Sequence, residues 1–132
     1  MQVGRRARWS REAIRHSFVL TLVLFLASTA SPAFALSTSP GEILANPDRY
    51  DGQPVTIRGT VKNLRETVSR RGNAYYTFDL DDETRAIKVF SFGNASCKAG
   101  APATVEGTYQ KVKRQGRYTF YNEVEAASVT CR

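Results

Sequence analysis

Four arginines stand in two short turn-like segments, Arg70 and Arg71 in SRRGN at 69–73 and Arg114 and Arg117 in KRQGR at 113–117. Aromatic residues fill the runs between them. Guanidinium groups meet phosphate and carboxylate oxygens, and flat rings stack on bases. That is recognition chemistry, not bond-making chemistry. The one histidine, His16, lies in an N-terminal stretch that reads as a removable leader. The remainder then has no imidazole for general base catalysis, for a Ser-His or Cys-His nucleophile, or for a histidine metal site. No catalytic residue, metal ligand or cofactor is expected. The run Asp79, Asp81, Asp82, Glu83 is rich in oxygen ligands but lacks the loop spacing and closing Glu of a calcium site. It reads as a solvated turn, partly paired with Arg85.

Two cysteines remain, Cys97 and Cys131. An even count in an exported chain reads as a disulfide. Closing that loop stabilises a small fold by roughly 3–4 kcal/mol in the chain-entropy account. No CxxC redox pair is present.

Export is inferred from residues 1–35. Arg5, Arg6, Arg8, Arg11 and Arg15 precede an apolar run from Phe18 to Ala27, and Ala33 and Ala35 occupy the positions of a small-x-small cleavage site. The apolar run is far shorter than the roughly 20 residues a membrane span needs. The expected location is periplasmic or secreted, with no membrane span in the mature chain. The leader also holds much of the basic excess. It carries five Arg and one Glu, so of the full net charge of +7 only +3 belongs to the rest. That is a mild hint of an anionic partner.

The elements that must position these groups are short strands. In GQPVTIRGTVKNL, 52–64, Val55, Ile57, Gly59 and Val61 alternate with Thr56, Arg58, Thr60 and Lys62. Period two is the mark of a strand with one buried and one wet face. Gly59 on the buried side suggests a barrel corner. The strand is expected to continue, bent, to Val68, with Gly72-Asn73 supplying positive φ in the turn. AYYTFDL, 74–80, turns Tyr76, Phe78 and Leu80 inward and Tyr75, Thr77 and Asp79 outward. AIKVFSF, 86–92, sets Ile87 and Val89 against Lys88, Phe90 and Phe92. ATVEGTYQKV, 103–112, and YTFYNEVEAASV, 118–129, complete the set. Leu36–Ser39 reads as a loose lead-in. SPGE at 39–42 fits a capping box, with Ser39 as N-cap, Pro40 at the first helical position and Glu42 reaching back. The helix should run Pro40–Ala45, with Ile43 and Leu44 plugging one end of a barrel, and 47–52 should be a turn.

The pattern Tyr50-x-Gly52-x-x-Val55-x-Ile57-x-Gly59-x-Val61, then Tyr76-x-Phe78-x-Leu80-x-Asp82, then Ile87-x-Val89, resembles the secreted bacterial OB-fold proteins and the tRNA-anticodon-type OB domains. The resemblance implies an all-β, five-stranded OB-fold-like Greek-key barrel with a short N-terminal helix, as one domain over 36–132. A departure is the missing helix between the third and fourth strands, where GNASCKAGAP is too short and glycine-rich; the N-terminal helix would fill that end instead.

In such folds ligands cross strands two and three between the first and last hairpins. The resemblance therefore implies a platform of Tyr75, Lys88 and Phe90, with Phe92 beside it. Arg70, Arg71, Arg114 and Arg117 would rim it, with Lys111 and Lys113 nearby. The expected function is a non-enzymatic exported binding module for an anionic polymer or oligosaccharide, single-stranded nucleic acid among them. The alternative is a structural or protein-interaction module of the cell envelope. A calcium-dependent nuclease of OB-fold type finds no matching motif.

Overall fold

The computed structural model describes residues 34–132. The expected leader, residues 1–35, lies outside the described residues save for its last two. The element order is β1 (Leu36–Thr38), α1 (Pro40–Ala45), α2 (Pro47–Tyr50), β2 (Pro54–Val68), β3 (Ala74–Asp81), β4 (Ala86–Phe92), β5 (Pro102–Gln115) and β6 (Tyr118–Cys131). The strands form one sheet in the order β1-β2-β3-β4-β6-β5, and a further pairing of β2 with β5 closes it into a barrel. The result is an all-β, OB-fold-like barrel.

β2 forms because its apolar residues alternate, and it closes the barrel because it is long. Its first half pairs antiparallel with β5, Pro54 opposite Thr108 through Thr60 opposite Pro102. Its second half pairs with β3, from Thr60 opposite Asp81 to Val68 opposite Ala74. Between Lys62 and Arg65 the register shifts, and Asn63 takes φ 52°. Such a bulge bends a strand. Gly59 marks the change of partner: a Cβ there would sit 2.6 Å from the Asp81 carbonyl oxygen.

The core is the inward set of these strands. Val55, Ile57 and Val61 of β2, Tyr76, Phe78 and Leu80 of β3, Ile87 and Val89 of β4, Val105 and Tyr109 of β5 and Val124 of β6 are buried together. Ile43 of α1 is buried with them, and Leu44 packs against the cluster. No helix lies between β4 and β5. The disulfide Cys97–Cys131 ties that connection to the end of β6, with Cα atoms 5.6 Å apart.

Several local expectations are corrected. The lead-in is a strand: Leu36, Ser37 and Thr38 pair parallel with Val55, Thr56 and Ile57, on the edge that β2 offers beside them. The segment after Asn46 is the short helix α2, because Pro47 restarts a helical turn at its first position. Ser39 caps α1 by accepting from the Glu42 N–H at 3.1 Å. The Glu42 carboxylate does not reach back; it accepts from Asn46 Nδ2 at 3.1 Å. In the β2–β3 turn only Gly72 has positive φ, 84°, and Asn73 does not. The last turn is tighter than KRQGR: β5 runs to Gln115, leaving Gly116 and Arg117 as the loop.

Candidate ligand-binding face

β3 and β4 pair with Tyr75 opposite Phe92, Thr77 opposite Phe90 and Asp79 opposite Lys88. Alternation buries Tyr76, Phe78, Ile87 and Val89, so these six point away from the core. The rings form a connected group. Tyr75 and Phe90 have centroids 5.4 Å apart, with planes tilted by 30°. Phe90 and Phe92 meet edge to face at 4.9 Å. Phe92 is largely exposed and Tyr75 and Phe90 are half-buried. The sequence-expected platform of Tyr75, Lys88 and Phe90 is thus one face, and Phe92 belongs to it.

The cations on this face are not free. Lys88 Nζ lies 2.6 Å from Asp79 Oδ1. Burial raises the Asp79 carboxyl, but hydrogen bonds from Lys88 and Asn63 outweigh it and hold the group below the ordinary carboxylate value. β6 then adds two carboxylates beside β4, because Lys88 pairs with Glu123 and Phe90 with Glu125. Lys113 Nζ reaches both, at 3.3 Å to Glu123 Oε1 and 3.0 Å to Glu125 Oε2. It also lies 4.8 Å from the centroid of the Phe90 ring. Burial lowers the Lys113 ammonium, and the two glutamates more than reverse that, leaving it above the ordinary lysine value. The centre of the face is therefore aromatic, and its two lysines are outnumbered by three carboxylates, Asp79, Glu123 and Glu125.

The four arginines stand at its two ends. Arg70 and Arg71 sit in the turn that leads into Tyr75, and both are exposed. Arg114 and Arg117 sit at the tip of the β5–β6 hairpin, beyond Lys113. Arg117 donates to Tyr118 Oη at 3.2 Å and lies over that ring at 5.3 Å. Among the described residues none of the four is in an ion pair. Lys111 differs: it is paired with Asp48 at 2.7 Å, which raises its ammonium above the ordinary value.

The acidic run is structural. Asp82 accepts from Gly41 N, Thr84 N and Arg85 N, each at 2.9 Å, and from Thr84 Oγ1 at 2.6 Å. It thereby fastens α1 to the β3–β4 turn. The expected pairing with Arg85 is through that residue's backbone, not its guanidinium; the ion pairs in this run are Asp81 with Lys62 and Asp79 with Lys88. Among the described residues no group of three or more His, Cys, Asp or Glu is placed to hold a metal. A shallow pocket at the β2–β5 seam, lined by Arg58, Gly59, Pro102, Ala103, Thr104 and Arg132, shares no residue with the aromatic face.

Sequence reasoning missed Glu123, Glu125 and the role of Lys113. The signal was present: Glu123 and Glu125 flank the inward Val124, so both must share the outer side next to β4. It placed Tyr118, Phe120 and Tyr121 in the last strand without a role, although all three are exposed.

No protein-family model matches the chain, and no curated protein matches it in sequence. Its fold is shared with solved structures. A chain assigned as an aspartyl-tRNA synthetase of Leishmania major Friedlin aligns over 80% of this chain, with 14% identity and a TM-score of 0.56. The alignment spans 22% of that chain's length. The second OB-fold domain of replication protein A from Methanococcus maripaludis aligns over 61% of this chain and 85% of its own, at 19% identity and a TM-score of 0.42. The first likeness shows a common OB-type fold; the second is too loose to add weight.

Proposed function

We propose that the protein is an exported, non-enzymatic binding module whose ligand is an anionic polymer laid across β3 and β4. The observation that carries this reading is the Tyr75–Phe90–Phe92 ring group lying between two hairpins whose arginines have no carboxylate partner. Rings of the ligand stack on the platform, and its charged groups meet Arg70 and Arg71 at one end and Arg117 at the other. Arg114, cross-strand to Thr119, lies on the ribbon face away from Lys113 and Phe90. The paired Lys88 and Lys113 add little attraction, because their charge is already spent on Asp79, Glu123 and Glu125. A single-stranded nucleic acid fits this division best, since its bases and phosphates are separate groups. An anionic oligosaccharide is the other member of the class. The leader-like segment and the disulfide support an exported setting.

The test is a fluorescence-anisotropy titration of the protein with labelled oligothymidylate and with an anionic polysaccharide, at low and high salt. Binding at low salt that weakens steeply with added salt is the expected result. No binding of either polymer at low salt removes the proposal. The exposed Phe92 favours one further reading, a protein partner of the cell envelope docking on the same rings. Capture of a specific envelope protein that is lost in Phe92→Ser, with no polymer binding, would establish it.

A further inference from the structure

The β5–β6 hairpin outruns the barrel. β5 leaves β2 at Thr108, and β6 first meets β4 at Glu123. The strand residues from Val112 to Tyr121 therefore pair only with each other, around the loop Gly116-Arg117. Cross-strand partners share a face and successive pairs alternate. Gln115 with Tyr118, and Lys113 with Phe120, lie on one face; Arg114 with Thr119, and Val112 with Tyr121, lie on the other. Both faces carry exposed apolar groups: Val112 is 44% exposed, Tyr118 57%, Phe120 40% and Tyr121 68%. The sequence from Lys111 to Asn122 contains four cations and no carboxylate.

We propose that this hairpin tip docks in the headgroup layer of an anionic lipid bilayer. Arg114 and Arg117 meet lipid phosphates, and Tyr118, Phe120 and Tyr121 lie at the polar–apolar boundary, where amphipathic rings are favoured. Two features select a lipid surface over a linear polymer or a flat protein face as the cover for the tip's exposed rings, whether or not a polymer on the β3–β4 face also reaches Arg117. Those partners cover one face of a ribbon and leave the other in water, whereas a bilayer surrounds an inserted tip and takes both faces. Lys111 and Lys113 are paired with Asp48 and with Glu123 and Glu125, but the two cations nearest the loop, Arg114 and Arg117, are in no ion pair among the described residues and are complementary to anionic lipid. Insertion is shallow, because the outer edges of the ribbon carry unpaired backbone groups that must keep water. The tip brings the aromatic face of β3 and β4 close to the membrane but uses none of its three rings.

The test follows the tip itself, so that any lipid binding by the apolar run near the N-terminus is not mistaken for it. Trp9 is the only tryptophan. Full-length protein carrying Trp9→Phe and Tyr121→Trp reports the tip by emission. The substituted site is exposed, so the fold is retained, as circular dichroism against the parent will check. Vesicles of equal phosphatidylglycerol and phosphatidylcholine should shift the emission to the blue, and brominated lipid should quench it. Adding Arg114→Gln and Arg117→Gln should weaken the partitioning that this signal reads by roughly 30-fold, as expected for two interfacial cations. Protein that floats with the vesicles while emission stays unshifted and unquenched overturns the proposal. So does a shift produced by oligothymidylate without vesicles and absent with them, which would assign the tip to nucleic acid.

Discussion

The ammonium of Lys113 lies 4.8 Å from the centroid of the Phe90 ring and bridges Glu123 and Glu125 at the same time. One side chain thus joins the root of the last hairpin to the aromatic face of β4. The Lys113 side chain is 16% exposed and that of Glu123 only 7%. Removing one partner of a pair so far from water leaves the other charge uncompensated. Lys113→Met should cost roughly 2–3 kcal/mol, read as a lower urea midpoint. Adding Glu123→Gln should restore part of the loss, because the stranded charge goes with it. An unchanged midpoint in Lys113→Met would mean the bridge contributes nothing to stability.

Phe90 sits between Tyr75 and Phe92 on the outer side of the sheet, not in the core. Phe90→Ala should therefore weaken oligothymidylate binding by about tenfold, in line with about 1–3 kcal/mol per stacked base. The thermal midpoint should move by only a few degrees. Equal affinity in parent and variant would place the ligand on another surface.

The paired lysines and unpaired arginines predict different salt behaviour. Arg70→Gln with Arg71→Gln should lower the slope of log affinity against log salt by up to about 1.4, whereas Lys88→Gln should scarcely change it. The comparison is made by repeating the anisotropy titration across a salt series. A larger effect from Lys88 would show that its pairing with Asp79 opens when ligand arrives.

How far these features could be read beforehand differs from element to element. Val55, Ile57 and Val61, and Tyr76, Phe78 and Leu80, were legible as core because strict alternation leaves one face no other place to go. Tyr75, Lys88 and Phe90 followed from the same parity. β1 was not legible: Leu36, Ser37 and Thr38 are strand only because the edge of β2 lies alongside. The positive φ values of Asn63 and Asn122 were equally hidden, since they answer the bend of the barrel. The Lys113 bridge depends on the register of β6 against both β4 and β5, which no local window contains.

Gly59 cannot be lengthened without moving a neighbouring strand. A Cβ there would lie 2.6 Å from the Asp81 carbonyl oxygen and 3.0 Å from Leu80 Cγ. Gly59→Ala should destabilise the fold by about 1–3 kcal/mol through this overpacking. Gly107 opposes the backbone at Glu125 in the same way. A urea midpoint equal to the parent's in Gly59→Ala would show that the β2–β3 corner yields freely.

Asp82 supplies an acid limit. Burial raises its carboxyl, but the hydrogen bonds from Thr84, Arg85 and Gly41 prevail and hold it well below its ordinary value of 3.8. A depressed folded value contributes stability that is complete above the unfolded value and is lost as pH falls toward the folded one. Unfolding free energy should therefore be level near neutrality and decline below about pH 4. Asp82→Asn should lower the neutral plateau and make that decline shallower. A decline of identical steepness in parent and variant would assign the acid response to other groups, with Asp79 and Asp81 the next to examine.

β2 shares backbone bonds with β1, β3 and β5. No single neighbour can peel away and leave its amides bare along their whole length. Deuterium should enter Val55, Ile57 and Val61 only when the entire barrel opens. The tip between Val112 and Tyr121, held by one partner strand, should take up label long before.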